Sequence, residues 1–321
     1  MNRIRWGIIG CGDVTKVKSG PAFQKVSGSE LIAVMRRNGW LAADYARRHH
    51  VPRWYDNADD LINDPDVNAI YIATPPSSHK EYTLAAARAG KPVYVEKPMA
   101  LDYNECLEMI TACKKAGISL FVAYYRRALP RFLKIKELLD NDMIGAIRHI
   151  SIFLSKTTYA KDLNKEPNWR VNPEIAGCGY FCDLAPHTLD LLQYYFGPIT
   201  SAAGYRGNQT GLYKAEDIVC AAFQFENGIT GTGSWIFNAR KNTDTNIITG
   251  TKGRITFSTF DNNPVILETE DKTTSVEIAN PEHIQQPLIQ SIVDELRGKS
   301  HCPSTGKTAA LTNRVMDWIL K

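Results

Sequence analysis

Between residues 4 and 123 the chain repeats one pattern. A short run rich in β-branched and aromatic residues is followed by a stretch with helical spacing of its apolar positions. The strand-like runs are I-R-W-G-I-I-G (4–10), S-E-L-I-A-V-M (29–35), V-N-A-I-Y-I-A-T (67–74), P-V-Y-V-E (92–96) and I-S-L-F-V-A (118–123). Helical periods fall at 14–26 (one helix or a broken one), 40–50, 78–89 and 102–116. The run 67–74 is apolar at odd and even positions alike, as a parallel strand covered on both faces requires. Alternation at this spacing predicts an α/β domain at 1–123 with a doubly wound parallel sheet of the Rossmann kind.

Beyond Ala123 the pattern changes. A helix fits 130–141, a strand 149–155, and a long polar, proline-containing stretch leads to a helix at 183–195. The runs 218–225, 228–237, 245–250 and 254–257 read as strands, and the N-G and K-G turns among them suit antiparallel pairing. Residues 124–321 are therefore expected to form an α+β domain on a large, mostly antiparallel open sheet. Helices at 284–298 and 305–320 close the chain, the last expected to pack back on the Rossmann domain. Several strands are apolar on both faces, so the face without helices needs a partner. A homodimer or homotetramer through this sheet is expected.

A chain of 321 residues suits two domains, each with its own core. A net charge of +4, spread along the chain, argues against a nucleic-acid partner. No apolar run approaches the ~20 residues that span a bilayer, and the opening M-N-R-I-R-W-G-I-I-G lacks a signal-peptide pattern. Seven cysteines, an odd number, read as reduced thiols in a cytoplasmic protein.

The first strand ends in G7-I-I-G10-C-G12-D13-V14-T15. After a strand and before a helix, G-x-G lets the backbone approach a pyrophosphate, so Gly10, Gly12, Asp13 and Val14 are candidates for holding a dinucleotide. Thr15 stands where this pattern usually has Gly or Ala. The second strand ends M35-R36-R37-N38, with no carboxylate to accept from a ribose 2′-hydroxyl. Arg36 and Arg37 instead suit a 2′-phosphate, which favours NADP and leaves NAD possible.

The stretch G177-C-G-Y-F-C182-D183-L-A-P-H187 crowds ligand-type residues together. Asp183 and His187 are four apart and share a helix face, while Cys178 and Cys182 share another. Three readings compete: a zinc site on Cys178, Cys182, Asp183 and His187, a catalytic pair, or a plain helix start. In the last, Asp183 is the N-cap and Pro186 lies in the first turn. Zinc sites normally draw converging pairs from separate segments, and no second pair is present elsewhere. The two cysteines then become small packing residues.

In order along the chain, A-T74-P75-P-S-S-H79, E96-K97-P98, W169-R170, G177-x-G179 and D183-x-x-x-H187-x-x-D190 resemble the glucose–fructose oxidoreductase, inositol dehydrogenase and MocA-like (Gfo/Idh/MocA) oxidoreductases. The resemblance covers essentially the whole chain. It implies hydride transfer between a nicotinamide and a secondary alcohol or carbonyl of a sugar, polyol or dihydrodiol. Lys97 would lie by the nicotinamide and the reacting oxygen, Asp183 would hold a substrate hydroxyl, and His187 would exchange its proton. Histidine titrates in the range this needs, and an ammonium favours a developing alkoxide. Thr74, Pro75, His79, Glu96, Trp169 and Arg170 are expected on the cofactor side, His79 mainly by shaping its turn. Tyr124 and Arg126 are expected towards the substrate. A regulator on the same fold, responsive to a dinucleotide or sugar, is the non-enzymatic alternative.

Overall fold

The computed structural model describes residues 3–321; Met1 and Asn2, counted above in the first domain, lie outside them. The chain divides into two compact units, one running up to Leu129 and including Pro281–Ala310, the other made of Pro130–Asn280 and Leu311–Lys321. The sequence alone predicts one division, at 123/124. The segment 281–310 groups instead with the first unit.

The first unit runs β1 (Ile4–Ile9), α1 (Asp13–Val17), α2 (Gly20–Lys25), β2 (Ser29–Met35), α3 (Gly39–Arg48), β3 (Arg53–Tyr55), α4 (Ala58–Asn63), β4 (Ala69–Ile72), α5 (His79–Arg88), β5 (Val93–Val95), α6 (Tyr103–Lys115) and β6 (Leu120–Val122). The six strands are all parallel in the order β3-β2-β1-β4-β5-β6. This is the doubly wound order in which ligands bind beyond the carboxyl ends of the strands. Every residue of β4, β5 and β6 is buried, which explains their continuous apolar runs. Helix ends follow local chemistry. Asn38, Asn57 and Asp102 accept backbone N–H bonds at the starts of α3, α4 and α6.

The second unit runs α7 (Pro130–Asp140), β7 (Ile147–Ser155), α8 (Ala160–Leu163), α9 (Pro173–Ala176), α10 (Tyr180–Phe196), β8 (Ile199–Gly207), β9 (Ile218–Phe225), β10 (Thr230–Ile236), β11 (Thr243–Gly250), β12 (Gly253–Phe257), β13 (Val265–Thr269) and β14 (Thr273–Val276). Its sheet is ordered β14-β13-β12-β11-β7-β10-β9-β8. All neighbours are antiparallel except β7 and β10, which run parallel. Helix α10 covers one face, with Phe181 edge-on to Trp235 of β10 at 5.0 Å. Leu189 and Leu192 are fully buried there. Truncating either to Ala should cost about 2–5 kcal/mol.

The chain closes with α11 (Gln286–Leu296) and α12 (Gly306–Leu320). Ala309 and Ala310 of α12 join the core of the first unit; Val315, Met316 and Ile319 join that of the second. Among the described residues no helix is long and apolar enough to cross a membrane.

Candidate active site

In the first unit the candidate residues gather at the carboxyl ends of the strands. Gly10 follows β1 with φ +90°, a conformation that disfavours any side chain. A Cβ there would also come within 2.7 Å of Thr74 Cγ2. Gly12 differs: its φ is −115°, and a Cβ would meet only Gly10 O at 3.8 Å. The space above Gly12 is thus left open by the protein itself, a cradle suited to a phosphate group. The N–H groups of Gly10 and Cys11 both donate to Met35 O, at 2.9 and 3.1 Å, tying this turn to the end of β2.

Thr15 fits its unusual place. Its side chain is buried and its hydroxyl donates to Gly12 O at 2.8 Å, while Tyr45 OH donates to Thr15 O at 2.8 Å. The helix after the turn is the broken one of the two expected forms, five residues in α1 followed by six in α2. Backbone approach therefore matters more here than a helix dipole, which needs more aligned peptides. Asp13 pairs with Lys16 at 2.6 Å and is almost fully exposed; Val14 is half-buried.

Arg36 and Arg37 follow β2 directly. Arg36 is half-buried and Arg37 exposed. Among the described residues no carboxylate lies within ion-pair reach of either guanidinium. Asn38, beside them, is committed to capping α3 through Leu41 N. The electrostatic field of Arg36 reaches Cys11 in the Gly-rich turn, whose thiol burial pushes up to about 11.

Thr74 and Pro75 follow β4. Thr74 Oγ1 accepts from Ser78 Oγ at 2.8 Å. His79 is fully buried, with Nε2 on Thr74 O at 2.8 Å and Nδ1 on Pro98 O at 3.1 Å and Met99 O at 3.3 Å. Burial holds its imidazole below the ordinary value, opposed by these carbonyls. His79 therefore ties the Thr74 turn to the Lys97–Pro98 turn, whose peptide is cis, and any effect on a cofactor runs through that tie.

Glu96 is likewise internal. Its Oε1 accepts from Tyr71 OH at 2.6 Å and Gln285 Nε2 at 2.7 Å, and its Oε2 faces Lys97 N at 3.3 Å. Tyr94 OH donates to Gln285 Oε1 at 2.7 Å. Glu96 thus fixes the backbone that presents Lys97. Tyr124 and Arg126 follow β6 and are both buried; the Arg126 guanidinium stands 5.0 Å over the Tyr125 ring.

In the second unit the candidates lie around the start of α10. The helix begins three residues earlier than expected, with Gly179 as N-cap, so Asp183 lies within the helix and is not its cap. Pro186 is then interior, without an N–H for the carbonyl one turn back. Gly179 is needed because a Cβ would come within 2.8 Å of Ala215 Cβ and 2.9 Å of Glu216 O. Its N–H donates to Glu216 Oε1 at 2.8 Å, so a buried carboxylate caps the helix.

Asp183 and His187 stand one turn apart on α10. Arg170 Nε donates to Asp183 Oδ2 at 3.2 Å, and its guanidinium lies 4.5 Å over the Trp169 ring. His187 is buried, its ring edge-on to Phe260 at 5.7 Å. Asp190 is buried and takes Thr312 Oγ1 at 3.4 Å, which places it in the packing of α10. The segment carrying Trp169 and Arg170 is held by Asp162, which accepts from Tyr180 OH at 2.6 Å and Asn168 Nδ2 at 2.8 Å.

Cys178 and Cys182 are joined as a disulfide. This corrects the reading of all seven cysteines as reduced thiols. It also removes both thiolates from the zinc alternative, since a disulfide sulfur is not a thiolate ligand. The other five cysteines are free, and four of them are buried.

Sequence reasoning missed Thr15, Tyr45, Gln285, Glu216 and Phe260, which hold the candidates in place. No periodic signal marks such residues; only the oddity of Thr15 at a glycine position pointed to one.

Comparison with known proteins bears directly on these two clusters. Residues 4–124 match the model of an oxidoreductase family with an NAD-binding Rossmann fold, and residues 132–256 match the GFO/IDH/MocA C-terminal domain. Oxidoreductase P35 of Formosa agariphila is 43% identical over 317 residues, 98% of either chain. Trans-1,2-dihydrobenzene-1,2-diol dehydrogenase of Mus musculus is 29% identical over 258 residues, 78% of this chain and 73% of that one. A levoglucosan dehydrogenase solved with NADH and levoglucosan superposes with a TM-score of 0.90 at 23% identity, covering 99% of this chain and 96% of that one, and so shares its fold. The chain belongs to the Gfo/Idh/MocA family and is a nicotinamide-dependent oxidoreductase.

Proposed function

We propose that the protein is an NADP-preferring dehydrogenase that interconverts a secondary alcohol and a carbonyl on a sugar, polyol or dihydrodiol. The observation that carries this reading is the Asp183–His187 pair on α10, with Asp183 held by Arg170. The names of the relatives, which include dihydrodiol and levoglucosan dehydrogenases, point to the same substrate classes.

Gly10, Gly12, Asp13, Val14, Thr74 and Pro75 would hold the dinucleotide, supported by the open space at Gly12. Glu96, His79, Trp169 and Arg170 are the further candidates for supporting it. Arg36 and Arg37, with no carboxylate in ion-pair reach among the described residues, would take the 2′-phosphate. When bound, the nicotinamide accepts or returns a hydride at the carbinol carbon.

The chain's own residues do the rest. His187 takes the hydroxyl proton in oxidation and returns it in reduction. The Lys97 ammonium favours negative charge on the reacting oxygen. Asp183 accepts a hydrogen bond from a neighbouring hydroxyl and fixes the ring's orientation. Tyr124 and Arg126 complete the substrate contacts.

Two further parts belong to this reading. The sheet face away from α10 carries Phe153, 42% exposed, and Tyr205, 89% exposed, which supports a homodimer or homotetramer through it. A cytoplasmic location fits the exposed free thiol of Cys220, while the Cys178–Cys182 disulfide counts against it.

The test is a panel of polyols, aldoses, ketoses and dihydrodiols followed by nicotinamide absorbance, with wild type, Lys97→Met and His187→Asn. Each substitution should lower kcat by about 10²–10⁴-fold, the usual contribution of a general acid–base group. NADP affinity should stay within a few-fold. Normal turnover in both variants would refute the assignment.

A further inference from the structure

The turn that follows β12 is held more firmly than the end of a strand requires. Asp244, on β11, is buried, and its carboxylate accepts three successive backbone N–H groups. They are those of Thr259 at 3.1 Å, Phe260 at 2.5 Å and Asp261 at 3.1 Å. Arg131, on α7, is also buried and takes carbonyls of the same turn. Its Nη1 donates to Asp261 O at 2.7 Å and its Nη2 to Ser258 O. Asn246, two residues along β11, donates through Nδ2 to Thr259 Oγ1 at 3.0 Å.

Taking a carboxylate and a guanidinium out of water is costly, and it persists where hydrogen bonds satisfy both. Here both serve one turn of four residues, the anion on its N–H groups and the cation on its carbonyls. A backbone gripped from both sides in this way has little freedom left.

What the turn presents lies against α10. Phe260 stands edge-on to the His187 ring at 5.7 Å. Thr259 Oγ1 and Thr188 Oγ1 share a hydrogen bond of 2.8 Å. Two consecutive residues of the turn therefore meet two consecutive residues of the helix. A histidine on a helix has more than one rotamer open to it, and a ring packed against the imidazole narrows the choice. Proton exchange needs the imidazole nitrogen within hydrogen-bond reach of the reacting hydroxyl, so that choice bears on rate.

We propose that Asp244 is a positioning residue for hydride transfer. It holds the turn 258–261 so that Phe260 seats the His187 ring in the orientation that exchanges the hydroxyl proton. This deepens, and rests on, the reading of His187 as the acid–base group.

The test combines kinetics on the panel substrate turned over fastest with histidine NMR of full-length protein saturated with NADPH. Asp244→Ala and Phe260→Ala should each lower kcat by about 10–10²-fold, the scale on which a misplaced group loses rate. KM should stay within about threefold. The double variant should fall no more than about twofold below Phe260→Ala alone, because one residue acts through the other. Asp244→Asn keeps an oxygen for the turn and should recover part of the loss; it carries the cycle if Asp244→Ala does not fold. The His187 ring resonance, identified by its loss in His187→Asn, should move or broaden in the Asp244 and Phe260 variants. An unmoved resonance, unchanged kcat, losses confined to KM, or losses that multiply in the double variant each overturn the proposal. Normal kcat in the Asp244 and Phe260 variants beside an inactive His187→Asn overturns it and leaves the acid–base reading standing. Normal turnover in His187→Asn, with the resonance still moving in the other variants, supports the seating of the ring and counts against that reading.

Discussion

Arg170 Nε lies 3.2 Å from Asp183 Oδ2 while its guanidinium rests on Trp169, so one side chain links the aromatic and the carboxylate. The Arg170 side chain is 39% exposed, and an ion pair that open contributes less than about 1 kcal/mol to stability. Its value lies in orientation. A double-mutant cycle with Arg170→Met and Asp183→Asn should show small coupling in thermal unfolding and strong non-additivity in kcat/KM. Each single variant should lose about 10–10³-fold in kcat/KM, in the range of a lost charge-assisted hydrogen bond or more. Coupling of similar size in both measurements would assign the pair to stability instead.

Arg36 and Arg37 sit at the end of β2, next to a turn tied to Met35 O, and among the described residues no carboxylate is within ion-pair reach of them. Replacing both with Ala should raise the dissociation constant for NADP by about 10–10²-fold, the loss of one or two charge-assisted bonds. NAD, lacking the 2′-phosphate, should change by about twofold or less. Fluorescence titration of the two reduced cofactors separates the cases. Equal losses would remove the 2′-phosphate assignment.

Gly10 and Gly12 are two positions apart and answer to different demands. At Gly10 an added Cβ meets Thr74 Cγ2 at 2.7 Å and the backbone of Ala73 at 3.0 Å, and φ is +90°. Gly10→Ala should therefore unfold at lower temperature, by about 1–3 kcal/mol of stability. At Gly12 the Cβ has room, so Gly12→Ala should match or exceed wild type in melting while binding NADP at least about tenfold more weakly. Undiminished cofactor binding by a well-folded Gly12→Ala would show that the open space is not the pyrophosphate cradle.

What could be read from the sequence follows from burial. Strands β1, β2, β4, β5 and β6 carry continuous apolar runs because the sheet is covered on both faces, and they were found within a few residues. β3, β8 and β14 were missed, and all three are edge strands with exposed or half-exposed residues. A strand that buries little leaves little trace in its residues. α4 escaped by being short. At α10 the start was misplaced because an aspartate before a proline imitates a capped first turn. The true cap is a glycine whose N–H is taken by Glu216, distant in sequence. Spacing suggested the Asp183–His187 pair; the residues that hold it, Arg170 and Phe260, are brought to it by the fold. The disulfide was hidden because a cysteine pair four apart reads equally as packing or ligation.

Glu216 caps α10 with a buried carboxylate, and its titration gives the pH test. Burial pushes its carboxyl above the ordinary 4.5, with the Gly179 N–H pulling the other way. An acid with a raised value in the fold binds its proton more tightly there than in the unfolded chain. Its contribution is therefore full below about 4.5 and declines as pH rises through the raised value. Glu216→Gln keeps an oxygen for Gly179 N–H and removes the charge. Its melting temperature should equal that of wild type near pH 4 and exceed it increasingly towards pH 7. Glu216→Ala leaves the N–H unpaired and should lose about 1–3 kcal/mol near pH 4, a deficit that shrinks towards pH 7 as the wild-type carboxyl loses its own contribution. If the Gln and Ala variants were equally destabilised at pH 7, the carboxylate's charge rather than its acceptor oxygen would be what holds the start of α10, and the sign of the pH dependence argued here would be reversed.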